Sequence, residues 1–225
     1  GLYHRKVWLM RTRFDEQLKQ LNNEMIQMGS LIENAIQNAV RAFFDKDTEL
    51  AKKIMDNDEV VDQEQKKIEN ICFQLLIQRQ PVARDLRTIT AALKMVTDME
   101  RIGDHAADIS ELTVVMADHT EIMNRDDIKK MSGESVMMLL HAIEAYVERD
   151  MDKAKGVIAH DDVVDELFIK VKSELIEAIS RNPDCGEYAA DLLMINKYLE
   201  RIGDHATNIA EWVIFSLNTV DPDAK

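Results

Sequence analysis

The feature that most constrains the fold of this chain is an internal duplication. The stretch Glu-Arg-Ile-Gly-Asp-His-Ala occurs at residues 100–106 and again, letter for letter, at residues 200–206. A second pair of similar segments lies upstream, at residues 58–62 and 161–165. Because both blocks recur in the same order, the chain consists of two copies of one structural unit.

Each copy is predicted to contain three helices. Apolar side chains recur at alternating intervals of three and four residues, which is the spacing of one helix face. The first copy predicts a helix over residues 14–44, a second beginning at an Asp47 cap and a third after Pro81. In the second copy, Asp150 and Pro183 occupy the corresponding places. No segment shows the alternation of a convincing strand.

We therefore predict an all-α protein of six long helices that form two tandem, pseudo-symmetric three-helix bundles. The first repeat is placed at residues 10–123 and the second at residues 124–220, with a short polar link near residues 124–127 and Pro222 closing the structure. Residues 1–9 precede the first methionine and lack the apolar stretch of a signal peptide, so we interpret them as an extension.

The composition agrees with packed helices, since 46% of the 225 residues are apolar and only 5% are aromatic. The 42 acidic residues outnumber the 28 basic ones, and the net charge of −14 argues against a nucleic-acid partner. Such a charge favours a basic protein surface or bound cations. Cys72 and Cys185 are not spaced as metal ligands, and no apolar run approaches the ~20 residues of a membrane span. We expect reduced thiols in a cytoplasmic protein.

Carboxylates recur on the second and third helices of both copies. On the third helices, at about 100° per residue, they share one side of the helix. These positions are Glu100, Asp104, Asp108 and Glu111 in the first copy, and Glu200, Asp204, Asn208 and Glu211 in the second. On the second helices, Asp58 and Asp161 fall on an otherwise apolar seam, and Asp62 and Asp165 follow one turn later. A carboxylate on such a seam is costly unless it is paired or bound to a cation.

Four carboxylates from two neighbouring helices form a set of hard oxygen ligands. Mg²⁺, Mn²⁺, Ca²⁺ or iron suit such a set better than a structural zinc ion does. The candidate ligands are Asp58, Asp62, Glu100 and Asp104 in the first copy, and Asp161, Asp165, Glu200 and Asp204 in the second. Further candidates for ligands or supporting groups are Glu59, Asp108, Asp162, Asn208, His105 and His205. Such spacing alone is more typical of a solvated or salt-bridged helix face, and only its recurrence in both copies brings a metal site level with that alternative.

Two other features bear on function. Gly103 and Gly203 lie inside strong helical patterns, which indicates the close approach of either another helix or a ligand. The chain has no phosphate-cradling glycine loop, nucleophile elbow or kinase motif, so we assign no catalytic residue and expect a non-enzyme. The alternative is a metal-dependent hydrolase or oxidase on a helical bundle, because clustered carboxylates can hold two metal ions.

The sequence resembles the PhoU family of bacterial phosphate-signalling regulators. The resemblance rests on the duplicated seven-residue motif and on three shorter segments, at residues 10–15, 29–31 and 85–87, and it extends from Met10 to about Leu217. It implies two three-helix bundles, frequent dimerisation and a cytoplasmic negative regulator of the phosphate-starvation response. The implied partners are the ATPase of the high-affinity phosphate ABC transporter and its sensor histidine kinase, with membrane contact only through them.

The resemblance also bears on metals. Some family members bind multinuclear iron or zinc clusters through paired Glu/Asp-x-x-x-Asp motifs. Carried over, these motifs are Asp58 with Asp62, Glu100 with Asp104, Asp161 with Asp165, and Glu200 with Asp204. We therefore expect iron, zinc, manganese or magnesium as the cofactor. Asn208 stands where the first copy has Asp108, so the second site lacks one possible charge. An accessory protein of a low-affinity phosphate permease is the alternative role within this resemblance.

Overall fold

A computed structural model describes residues 1–78, 81–119 and 125–218. All of the regular structure in these residues is helical, which confirms the predicted all-α class. The helices are α1 (Leu2–Asp45), α2 (Thr48–Asp56), α3 (Asp58–Gln78), α4 (Ala83–Val115), α5 (Asp126–Glu148), α6 (Met151–Arg181) and α7 (Gly186–Leu217). A short 3-10 turn at Pro183–Cys185 leads into α7.

The predicted second helix of the first copy is divided into α2 and α3 at Asn57. The corresponding helix of the second copy, α6, runs without interruption. Asparagine favours helix ends because its side chain competes for backbone hydrogen bonds. Asp58 and Glu59 then provide negative charge in the first turn of α3, where the helix dipole favours it.

The turns between the first and second helices are the same in both copies. Asp47 caps α2 by accepting a hydrogen bond of 3.0 Å from the Leu50 amide, and Asp150 caps α6 through the Lys153 amide at 3.0 Å. Both N-caps were predicted from the sequence. Just before each cap, Lys46 and Arg149 adopt left-handed conformations with φ of 53° and 55°. This conformation ends the preceding helix and reverses the chain.

The first bundle consists of α1–α4 and the second of α5–α7, and α4 packs along α7 to join them. The core is aliphatic and methionine-rich, with Leu21, Met28, Ile32, Ile68 and Ile102 fully buried. α1 begins at Leu2 rather than near Phe14, and its first turns, residues 2–11, are exposed. The predicted boundary between residues 123 and 124 and the terminal Pro222 lie outside the described residues.

Within the described part of the chain, every helix falls short of the combined length and hydrophobicity that a bilayer span requires.

Candidate metal centre

In the first bundle, the structure brings together three of the four predicted carboxylates as one cluster. Asp58 and Asp62 extend from α3 and Asp104 from α4, and one oxygen from each lies within 4.8 Å of the other two. The fourth, Glu100, lies close enough for the charges of Asp104 and Asp62 to raise its pKa. These four residues, all half-buried, are called the first carboxylate cluster.

The second bundle builds the same arrangement. Asp161 and Asp165 from α6 and Asp204 from α7 also have oxygens within 4.8 Å of one another. The charge of Glu200 acts on Asp165 and Asp204, so the fourth predicted carboxylate lies beside them. Asp161, Asp165, Glu200 and Asp204 are called the second carboxylate cluster.

Two glycines let the carboxylate-bearing helices approach each other. A Cβ atom at Gly103 would lie 2.9 Å from Val61 Cγ1, and one at Gly203 would lie 3.3 Å from Val164 Cγ1. Val61 precedes Asp62, and Val164 precedes Asp165, so each glycine faces the chain beside a cluster aspartate. Of the two explanations left open by the sequence, the structure supports close helix packing.

The glycine contacts predict different outcomes for matched alanine variants. Gly103→Ala is expected to lower the free energy of unfolding by about 1–2 kcal/mol, because overpacking against the stiff Val61 outweighs the gain in helix propensity. Gly203→Ala should be closer to neutral because its contact is looser. Urea unfolding measures both changes.

Gly133→Ala is the control, since a Cβ at Gly133 meets no atom within 4 Å. That variant should gain up to about 1 kcal/mol. If Gly103→Ala is as stable as Gly133→Ala, the packing role assigned to Gly103 is wrong.

Burial and mutual repulsion make both clusters reluctant to ionise fully. Burial, followed by the charges of Asp104 and Asp62, raises the pKa of Asp58 to about 6. Burial and the neighbouring Asp104 and Asp62 raise the pKa of Glu100 to about 7. In the second cluster, burial and the charges of Asp161 and Glu200 raise the pKa of Asp204 to about 6. A bound cation would remove this repulsion.

Buried carboxylate oxygens without hydrogen-bond partners also favour a bound metal ion. Among the described residues, Asp58 Oδ1, Asp62 Oδ1 and Asp161 Oδ1 are buried without a hydrogen-bond partner. Buried oxygens of this kind are costly unless a proton, water or cation satisfies them. Oxygen-only sets with several negative charges suit hard divalent or trivalent cations.

The additional candidates lie around the clusters rather than within them. Glu59 is exposed and accepts a hydrogen bond from Gln63 at 3.4 Å. Asp162 is exposed as well, although its charge acts on Asp161. Asp108 acts electrostatically on Asp58 and accepts a hydrogen bond of 3.3 Å from His105 Nδ1.

The two motif histidines meet at the contact between α4 and α7. The rings of His105 and His205 stack with centroids 5.5 Å apart. His205 Nδ1 and Asn208 Nδ2 both donate to Asp98 Oδ1, at 2.9 Å and 3.2 Å. These histidines therefore connect the bundles, and Asn208 joins that contact instead of extending the second cluster.

A further difference between the clusters was not identified from the sequence. Lys197 Nζ donates to Glu200 Oε1 at 2.7 Å, whereas the first copy has Thr97 at the equivalent position. The spacing of three residues between Lys197 and Glu200 was the available signal. Within the described part of the chain, the second cluster thus carries a neutralising ammonium group that the first one lacks.

The sequence is similar to those of known proteins over most of its length. A family model described as the PhoU domain matches residues 25–113 and 128–213. A protein of Clostridium acetobutylicum named phosphate-specific transport system accessory protein PhoU homolog is 37% identical over 210 residues, covering 92% of this chain and 95% of its own. A protein of the same name from Borreliella burgdorferi is 32% identical, covering 92% and 96%.

Two solved structures have the same fold. The crystal structure of PhoU from Pseudomonas aeruginosa has a TM-score of 0.88 at 31% identity, and it covers 91% of this chain and 98% of its own. The phosphate transport system regulatory protein PhoU from Streptococcus pneumoniae has a TM-score of 0.83 at 27% identity, covering 90% and 96%.

Proposed function

The chain belongs to the PhoU family, and on this basis we propose that it is a non-enzymatic regulator of phosphate transport. The observation that carries the proposal is similarity over nearly the full length to proteins named as accessory proteins of the phosphate-specific transport system. A regulatory name also accompanies the similar structure from Streptococcus pneumoniae.

In its specific form, the proposal is a cytoplasmic adaptor that restrains the phosphate-starvation response. It would contact the ATPase of the high-affinity phosphate ABC transporter and its sensor histidine kinase, act as a homodimer and reach the membrane only through these partners. The net charge of −14 supports partners with basic surfaces, because opposite charges accelerate and orient association.

Metal binding is part of this proposal. Asp58, Asp62, Glu100 and Asp104 would hold a cation in the first bundle, and the second carboxylate cluster would hold another. Bound iron, zinc, manganese or magnesium would supply positive charge that neutralises the clusters and links α3 to α4 and α6 to α7. The bound cations would thereby set the spacing of the surface helices that a partner contacts.

Retention of partners from phosphate-replete cells tests the adaptor role. Tagged protein should retain the transporter ATPase and the sensor kinase, and deletion of its gene should derepress phosphate-starvation genes despite ample phosphate. Reporter expression and mass spectrometry of the retained proteins measure these outcomes. Retention of neither partner, or of a low-affinity permease alone, would contradict the adaptor role.

A further inference from the structure

A groove in the first bundle opens between α1 and the junction of α2 with α3. Its volume is about 230 Å³, and its polar lining consists of Asn34 and Asn38 from α1, Asn57 from the junction and Asp58 from the start of α3. Pockets for drug-sized ligands measure about 300–1,000 Å³. The groove therefore fits one long side chain, together with the backbone that carries it, rather than a cofactor.

The apolar part of the lining suits the methylene groups of such a side chain. Ile54 and Val61 are buried residues of the lining, Leu31 is half-buried and Val60 is exposed. Contact between these side chains and an aliphatic stem removes apolar surface from water on both partners, which favours binding. An elongated ligand with an apolar stem and a polar end therefore matches the groove.

The asparagine side chains of the groove are available to a ligand. Within the described part of the chain, no residue forms a hydrogen bond with the side-chain amide of Asn34, Asn38 or Asn57. Asn34 and Asn38 lie one turn apart on α1, and Asn57 lies on the other wall. Each side-chain amide has an oxygen that accepts hydrogen bonds. A ligand that brings several N–H groups can therefore be bound from both walls.

The charge of the groove favours a cationic ligand. Among the described residues that line it, Asp58 carries a carboxylate and none carries a cationic group. Asp58 also belongs to the first carboxylate cluster, whose four carboxyl groups outnumber the two charges of a single bound divalent cation. A cationic ligand is therefore attracted to this lining, and an anionic one is repelled.

The corresponding groove of the second bundle, between α5 and α6, has a different lining. At the spacing of 103 residues that relates the two copies, the three asparagines correspond to Met137, His141 and His160, all of which line the second groove. That lining also includes Lys153, whose counterpart in the first copy is Leu50. The fold that both copies share therefore does not require the three amides of the first groove.

The helix interruption at Asn57 is also particular to the first groove. α6 continues without interruption through His160, the equivalent of Asn57, so a three-helix unit of this kind does not need a break there. At the break, the Asn57 backbone N–H bonds to the Lys53 carbonyl, and the Asn57 side chain stays exposed. The interruption and the three amides thus occur together, at the same groove of the same copy.

We propose that this groove binds an arginine side chain of a partner protein. Its guanidinium group donates hydrogen bonds to the amide oxygens of Asn34, Asn38 and Asn57, and its stem lies on the apolar lining. The Asp58 carboxylate provides the opposite charge. Arginine fits better than lysine, because its planar group has five donors and is more weakly hydrated than an ammonium group. This site deepens the proposed adaptor role and rests on it for the source of the arginine.

Nuclear magnetic resonance titration of the intact protein with acetyl-glycyl-arginyl-glycinamide tests the site without a known partner. The peptide should shift the side-chain amide signals of the three asparagines saturably, with a dissociation constant on the order of 1 mM. The same peptide with neutral citrulline in place of arginine should bind at least ~10-fold more weakly, because charge-assisted hydrogen bonds are lost. A lysine peptide should bind roughly 3-fold more weakly, because it lacks the planar donors.

Matched variants separate the groove from the rest of α1. Asn34→Met with Asn38→His introduces the residues of the second groove, which the shared fold accommodates, and should weaken binding of the arginine peptide at least ~10-fold. Asn23→Met makes the first of these changes at an exposed position of α1 outside the groove and should bind the peptide as the wild-type protein does. Circular dichroism confirms that both variants are folded.

The proposal is overturned by the absence of saturable shifts, by equal binding of the citrulline peptide, or by unchanged affinity in the folded double variant. Inorganic phosphate that shifts the same amide signals more than the arginine peptide does would identify an anion site and overturn it as well. The adaptor role is judged separately, by retention of partners from cells, so a failure of the arginine site and a failure of the adaptor role are distinguishable.

Discussion

Replacing Glu100 by glutamine together with Asp104 by asparagine is expected to abolish tight cation binding in the first bundle. The double variant removes two of the four charges of the first carboxylate cluster while keeping similar side-chain volumes. Since changes in groups that merely support a metal ligand weaken binding 10- to 100-fold, we expect a loss of at least ~100-fold here. Calorimetric titration with Mn²⁺, Fe²⁺ and Zn²⁺ and elemental analysis measure the loss.

The second bundle provides the matched control. Glu200→Gln with Asp204→Asn should remove binding from the second bundle and leave the first unaffected, so that each double variant loses part of the metal content. Glu59→Gln, at an exposed position beside the first cluster, should leave metal binding unchanged in both bundles. Equal metal content in the wild-type protein and both double variants would exclude the carboxylate clusters as metal sites.

Partner retention can be measured on the same variants. If the cations set the spacing of the helices that contact partners, the variant lacking Glu100 and Asp104 should retain less transporter ATPase than the Glu59→Gln control. Normal retention by a metal-free variant would show that metal has no part in the regulatory role, while leaving the adaptor role itself in place.

The metal-free protein is expected to become more stable as the pH falls from about 8 towards 5. The folded-state pKa values of Asp58 and Asp204 are about 6, and that of Glu100 is about 7, against ordinary values of 3.8 and 4.5. Between these limits the folded chain holds more protons than the unfolded chain, so the free energy of unfolding falls as the pH rises. The free-energy cost of keeping these carboxyls ionised in the folded protein is fully present at pH values above their folded-state pKa values. It is relieved as the carboxyls take up protons at lower pH.

Water screens these groups, since Asp58 and Glu100 are only half-buried and Asp204 is exposed, so we expect a total gain of roughly 2–4 kcal/mol. For a chain of this size, that corresponds to a rise of roughly 5–10 °C in Tm. Thermal unfolding after chelator treatment, at a series of pH values, measures the effect. Asp58→Asn with Glu100→Gln should flatten the dependence and raise the stability at pH 8.

Bound metal should reverse this pH dependence of stability. Cations bind the deprotonated carboxylates, so they stabilise the folded protein most at high pH. Stability of the metal-free protein that rises with pH over the same interval would show that the clusters are not sites of unfavourable charge. An unchanged pH dependence in the double variant would assign the effect to other acidic groups, such as Glu64, whose pKa burial and Glu24 raise to about 7.

Much of the fold could be predicted because helix formation here depends on local signals. The apolar spacing, the Asp47 and Asp150 caps and the prolines before the third helices specify the helices and their approximate ends. The break at Asn57 was not predicted, because the apolar seam continues through it from Ile54 to Val61. The apolar pattern shows which positions are buried, and it does not reveal a single residue at which the helix is interrupted.

Within the candidate centre, the carboxylates could be named in advance because a charged residue on an apolar seam is visible in the sequence. The duplicated motif grouped them into two sets. Their environments could not be derived in this way. The ion pair of Lys197 with Glu200 and the attachment of Asn208 to Asp98 depend on side-chain directions and on a neighbouring helix.

By itself, the sequence determined the duplication, the helical class, the family and the identity of the candidate ligands. These properties follow from residue order and from interactions along one helix. Only the tertiary structure decided that Asp58 and Asp62 meet Asp104 and that His105 and His205 join the bundles. Such contacts depend on how helices distant in sequence rotate and pack against one another, and the periodicity of a single helix does not specify this.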